Sequence, residues 1–238
     1  MTRAALAVAL LVTSATMAQP HAPSVLLLPG IGSDDPRQPV WVDELPWRSL
    51  GRVQTELGGR CTGTLIAPDQ VLTAAHCLVA ARSGNLVQPR SVHFLLGYAH
   101  GQFRAHGRVI SYRIGPGHGG GRRGRTEDDW AVLTLAERLS DAGLALLDRI
   151  PPPRTALIVG GYQQDRPEVL LADTGCRLLD ARDGILLHDC AGTRGASGAP
   201  LLVRTANGWA IVGVMSRMAP GVSLGQAVSV ERLRSVLR

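Results

Sequence analysis

Thr73-Ala74-Ala75-His76-Cys77 and Gly195-Ala196-Ser197-Gly198-Ala199-Pro200 are the two stretches on which the fold turns: one offers an imidazole, the other a hydroxyl set between glycines. Between them, Asp128-Asp129-Trp130-Ala131-Val132-Leu133 leads an acidic residue into an apolar run. The chain order is therefore His, Asp, Ser. Among the unrelated folds that assemble these three groups, that order belongs to paired antiparallel β-barrels.

Outward from these motifs, the chain is 238 residues long, enough for two small barrels with a sizeable core. From Gly51 onward it consists of short β-type runs cut by turn residues, at 52–57, 63–66, 71–74, 92–96 and 108–112, then at 156–159, 169–173, 184–188, 199–204, 209–216 and 226–230. Runs of this length and spacing predict a barrel or sandwich. Ala67-Pro68-Asp69-Gln70 predicts a tight hairpin, with proline setting the backbone angle. Pro151-Pro152-Pro153 is stiff and cannot donate to a sheet, so it marks the boundary between a first barrel over 51–150 and a second over 151–238. Val230, Leu233 and Leu237 fall at helical spacing and predict a short amphipathic helix at the C-terminal end. The Gly-rich stretch 115–124 has no periodicity and reads as a loop directly before Asp129.

Met1-Thr2-Arg3 is a basic stub, 4–12 is apolar, and Thr16-Met17-Ala18 offers small residues before Gln19, the three-part pattern of a signal peptide over 1–18. The apolar run is too short to cross a bilayer comfortably, so no stable membrane anchor is expected and the location is secreted or periplasmic. Residues 19–50, rich in Pro, Gly and charge, form an N-terminal arm or pro-segment with Trp41 and Trp47 as its bulky anchors. Export gives meaning to four cysteines, which are expected to pair. Three pairings are open. Cys61 and Cys77 bracket the His76 segment and Cys176 and Cys190 bracket a loop before Ser197, so local pairing is the economical choice, each bridge stabilising by about 3 kcal/mol. No Cys-x-x-Cys pair of metal spacing occurs, and no metal is expected.

The net charge of +6 comes from arginine alone, for the chain has no lysine, and aromatics make up 4% of it. A single-strand nucleic-acid groove interleaves basic residues with stacking aromatics, so no nucleic-acid partner is expected. A monomer is the default for a secreted chain of this size.

A serine hydroxyl is a weak nucleophile until a base takes its proton, and an imidazole suits that work. His76 is the base, and Asp129, with Asp128 as the alternative, is the carboxylate that fixes its tautomer. Glycines around Ser197 let main-chain N–H groups converge on a developing oxyanion, which makes Gly195 and Ser197 the donors. Such chemistry needs no cofactor.

On these three motifs the chain resembles the trypsin/chymotrypsin-like serine proteases from about Gly51 to its end. The resemblance implies two antiparallel six-stranded β-barrels with a short C-terminal helix, and a secreted serine endopeptidase that cuts protein or peptide substrates through an acyl-enzyme. In that family a disulfide joins the residue after the catalytic histidine to a cysteine on a preceding strand, which matches Cys77 with Cys61. Val214-Met215-Ser216 resembles the strand that pairs with bound peptide, so Ser216 is a substrate-binding candidate. Ala196 stands where trypsin-like zymogens carry an aspartate, which excludes activation by that ion pair. Ile158-Val159-Gly160-Gly161 resembles their newly exposed N-terminus but follows His76 and Asp129, and reads as a strand. Ala196 and His188-Asp189-Cys190 bring the resemblance closest to the bacterial glutamyl-endopeptidase-like branch. That branch places a histidine before the peptide-binding serine to read glutamate. Met215 stands there, and an apolar or small side chain is expected as readily, with Thr193 on the pocket wall. Ala199 in place of the family's second glycine and Arg194 beside the oxyanion loop fit the alternative of a non-catalytic secreted binding module on the same fold.

Overall fold

The computed structural model describes residues 28–118 and 124–237. The signal-peptide segment 1–18, the arm as far as residue 27 and the middle of the Gly-rich stretch lie outside them.

A short strand β1 (Gln38–Pro39) precedes the first barrel, whose strands are β2 (Leu50–Thr55), β3 (Arg60–Ala67), β4 (Gln70–Thr73), β5 (Val92–Leu96), β6 (Ala105–Ile114) and β7 (Ala131–Leu135). They close antiparallel in the order β2-β3-β4-β7-β6-β5. The period-2 pattern explains the closure: Val92, Phe94 and Leu96 of β5 and Leu133 and Leu135 of β7 point inward and are at most 2% exposed. They meet Val53, Leu65, Val71 and Val109 in one core.

The second barrel uses β9 (Ala156–Tyr162), β10 (Leu170–Arg182), β11 (Ile185–His188), β12 (Pro200–Thr205), β13 (Gly208–Met218) and β14 (Gly225–Ser229), after a short β8 (Ala145–Leu146) that pairs parallel with β13. The order β10-β11-β14-β13-β12-β9 is closed by antiparallel pairing of β9 with β10. Ile158-Val159-Gly160-Gly161 lies within β9. Beyond β14 runs α1 (Val230–Leu237), which begins with the buried Val230 and Leu233. The outward faces of the two barrels share a further cluster, in which Trp47, Leu72, Leu95, Trp130, Ile158 and Val214 pack together. The fold is thus two closed six-stranded antiparallel barrels and one short helix.

Strand β10 runs well beyond the expected 169–173. Thr174-Gly175 interrupts the sequence pattern, but the chain takes up that interruption as a register shift between Asp173 and Cys176 and continues to Arg182 along β11. The arm also differs from expectation. Trp47 is buried against Gly160, whereas Trp41 is 78% exposed. Its place as anchor is taken by Arg37, 1% exposed, whose guanidinium donates to Asp35, Asp165 and the Gln163 side-chain oxygen at 2.6–3.1 Å. Burial costs the cation solvation, and two carboxylates offset that cost. Desolvation works to lower the Arg37 pKa, but its bonds to Asp35 and Asp165 win and raise it.

His188 is fully buried at the end of β11. Its Nδ1 accepts the Cys190 N–H at 3.2 Å, and its Nε2 has no partner among the described residues. Burial lowers its pKa from 6.5 to about 4. The unfolded chain therefore binds this proton at higher pH than the folded one, and stability falls as pH drops from about 6.5 toward 4. Denaturant midpoints measured across that window should decline in the native chain. His188→Asn keeps an acceptor near the Nδ1 position and cannot be protonated there, so it should flatten the slope; an unchanged slope contradicts the assignment.

Candidate active site

The histidine is aimed by its neighbours in the chain. β4 ends at Thr73, and a single 3-10 turn, Ala75–Leu78, carries His76 out of the barrel wall. The Cys61–Cys77 disulfide, with Cα atoms 6.1 Å apart, ties that turn to β3, and a second disulfide joins Cys176 to Cys190. A second 3-10 turn, Thr126–Asp128, delivers Asp129 to the mouth of β7.

Asp129 holds His76 at two points. Its Oδ1 accepts the His76 main-chain N–H at 2.9 Å, and its Oδ2 lies 2.7 Å from Nδ1. An ionised carboxylate only accepts, so Nδ1 carries the proton and Nε2 is left free to act as a base. Ser216 Oγ, from β13, donates to the same Oδ2. Burial pushes the Asp129 carboxyl up, but the bonds from His76 and Ser216 outweigh it and hold the group below its ordinary value. Asp129 is 3% exposed and His76 39%, so the carboxylate is shielded while the ring meets the cleft. Asp128 instead pairs with Arg232 of α1.

One further histidine reaches this carboxylate. His118 is 4% exposed, with Nδ1 3.7 Å from Asp129 Oδ1 and Nε2 donating to the Arg125 carbonyl at 3.1 Å. A lone histidine among glycines carries no periodicity, so nothing local in the sequence points to it.

The loop carrying Ser197 is fastened to the first barrel. A Cβ on Gly198 (φ +80°) would lie 2.2 Å from Thr73 Oγ1, and one on Gly195 (φ +95°) 2.3 Å from the Tyr162 carbonyl, so both positions require glycine. Thr62 does the fastening: its N–H donates to the Ser197 carbonyl at 2.9 Å and its Oγ1 to the Gly195 carbonyl at 2.9 Å. The Arg194 carbonyl accepts from Gln164 N–H at 2.7 Å. In a trans peptide the next N–H points the opposite way, so that bond turns Gly195 N–H away from Gln164. Neither Gly195 N–H nor Ser197 N–H has an acceptor among the described residues. His76 and Asp129 are in direct contact; Ser197 lies close by through its main chain, its carbonyl 3.9 Å from Cys77 Sγ, and among the described residues no hydrogen bond joins its Oγ to the ring.

Thr193, Met215 and Ser216 all border one cavity of about 240 Å³ beside Ser197. The Ser216 side chain is engaged by Asp129, which leaves its main chain, at a register shift in β13, on the cavity side. Pro29 and Arg217 also line the cavity. Pro29 is there because Gly30 N–H donates to the Ala219 carbonyl at 2.9 Å and Gly192 N–H to the Gly30 carbonyl at 3.0 Å, joining the arm to the pocket wall. A second brace runs through Gln163, whose side-chain oxygen accepts both Arg37 and the Thr193 N–H, the latter at 2.8 Å. Neither brace has a local signal, since each joins residues distant in the chain.

Comparison with known proteins follows the same lines. A family model described as a trypsin-like peptidase domain matches residues 61–214. A glutamyl endopeptidase of Bacillus licheniformis is 30% identical over 111 residues, which are 47% of this chain and 34% of that protein, so the match spans about a third of the relative's length. A solved Glu endopeptidase in complex with MPD superposes with a TM-score of 0.73 at 19% identity, covering 86% of this chain and 98% of its own, a likeness of fold. With most of its length matched by the family model, this chain belongs to the trypsin-like peptidase family.

Proposed function

We propose that this chain is a serine endopeptidase acting on proteins or peptides through an acyl-enzyme, with Ser197 as nucleophile, His76 as general base and then acid, and Asp129 as the orienting carboxylate. The observation that carries the reading is the two-point hold of Asp129 on His76, through ring and main chain. As Ser197 Oγ attacks the scissile carbonyl, His76 Nε2 takes its proton and Asp129 stabilises the imidazolium. Gly195 and Ser197 N–H groups donate to the oxyanion. His76 then returns the proton to the leaving amine, and water repeats the sequence on the acyl-enzyme. Thr193 and Met215 border the side chain before the scissile bond, and an apolar or small one fits Met215.

Secretion or periplasmic export, and action as a monomer, complete the proposal. Among the described residues no helix is long and apolar enough to cross a membrane. The arm acts as a retained brace: with Ala196 in place of a carboxylate, Arg37 and Gln163 supply the support that orders Thr193.

A fluorophosphonate should label the disulfide-intact protein at Ser197 and leave Ser197→Ala unlabelled. Asp129→Asn should lower peptide turnover by about 10⁴-fold, since the ring loses the acceptor that fixes its tautomer. Native protein that shows no Ser197-dependent adduct contradicts the enzyme and leaves a binding module on the same fold. The intact mass of the exported protein should correspond to a start close to Gln19; a start beyond Arg37 contradicts the brace.

A further inference from the structure

A second cavity, of about 380 Å³, opens on the other face of the oxyanion loop, bordered by Arg52, Arg60, Tyr162, Pro167, Arg194 and Gly195. Arg194 is common to this cavity and to the one beside Ser197, so the two meet at the loop that carries Gly195. Their chemistry differs. Three arginines border the second cavity. Arg60 and Arg194 are exposed, and neither has a carboxylate within 4.0 Å among the described residues. Arg52 lies deeper, 8% exposed, its guanidinium carbon 3.5 Å from the centre of the Tyr98 ring. Among the described residues its nearest carboxylate oxygen, on Glu168, stands 3.7 Å away, beyond hydrogen-bond reach, and its Nε and one terminal nitrogen have no hydrogen-bond partner. Glu168 is itself engaged, accepting from the Tyr98 hydroxyl. The cavity therefore holds more positive charge than the protein neutralises.

Its position follows from the same contacts that fix the nucleophile. A peptide laid along Ser216–Met218 of β13 reaches Ser197 from one side. The leaving half of the chain then continues past Gly195 toward Arg60, which precedes the disulfide-bonded Cys61 and the Thr62 that holds Gly195. We infer that this cavity is a subsite for an acidic side chain in the first or second residue after the scissile bond, read by Arg60 and Arg194 over the buried charge of Arg52. This rests on the peptidase reading and adds a specificity that no part of that mechanism requires. Bidentate pairing of a guanidinium with a carboxylate gives the geometry, and residual cationic field in a partly enclosed cavity gives the attraction.

Quenched-fluorescence peptides identical up to the scissile bond, with Glu, Asp, Gln or Lys at the first or second position after it, provide the test. The native enzyme should cleave the acidic peptides with kcat/KM at least about fivefold above the Gln counterparts, the scale of one solvent-screened ion pair, and the ratio should shrink as salt is raised. Arg60→Gln with Arg194→Gln should bring the ratio near one, Arg60→Lys should retain part of it, and Arg60→Glu should shift preference toward Lys. Preference before the scissile bond should not follow these changes in Arg60. Cleavage without acidic preference, or a preference that survives the double substitution, overturns this inference and leaves the peptidase standing. Protein that neither labels at Ser197 nor cleaves any peptide overturns both.

Discussion

Asp129 is the carboxylate on which the site depends. It is buried at the seam of the two barrels and accepts hydrogen bonds from both: His76 belongs to the first barrel and Ser216 to the second. Removing an ion from water is unfavourable, and here three donors compensate for it. The proposed catalytic geometry is consequently a property of how the barrels dock. Across the same seam, Thr62 of the first barrel holds the Ser197 and Gly195 carbonyls of the second. The shared cluster around Trp130, Ile158 and Val214 supplies the apolar burial that keeps those bonds in register.

The arm extends this arrangement to the pocket. Ala196 provides no charge, and the loop around it is held instead by neutral and charged bonds from outside the barrels: Gly30 to Gly192, and Arg37 through Gln163 to Thr193. A buried arginine between two aspartates is costly to leave unpaired, which gives the arm a defined position rather than a loose wrap.

Much of this was legible in the sequence, and the legible parts share a cause. The strands of both barrels announce themselves by alternation, as Val92, Phe94 and Leu96 do, because one face of each fills a core. The motifs around His76, Asp129 and Ser197 are local, and their order is informative by itself. What escaped depends on contacts between distant residues. Arg37 reads as a solvated charge until the fold brings Asp165 and Gln163 to it, while Trp41, bulky enough to suggest an anchor, stays largely exposed. Ser216 was legible as a strand residue, but the commitment of its hydroxyl to Asp129 is a consequence of barrel docking. His118 was hidden by the absence of pattern around it. The basic cavity joins Arg52 and Arg60 from one barrel to Arg194 from the other, 134 positions from Arg60 in a sequence whose arginines look scattered.

The two-point hold gives Asp129 its proposed part, to fix the tautomer and direction of His76. Proton NMR of ¹⁵N-histidine-labelled Ser197→Ala protein measures it directly, through the Nδ1-bound proton that lies between the two residues. A far-downfield, exchange-protected resonance coupled to His76 Nδ1 is expected, lost when Asp129 is replaced by Asn in the same background. A His76 proton found on Nε2 in the neutral ring, or a downfield signal that persists without the Asp129 carboxylate, would contradict it.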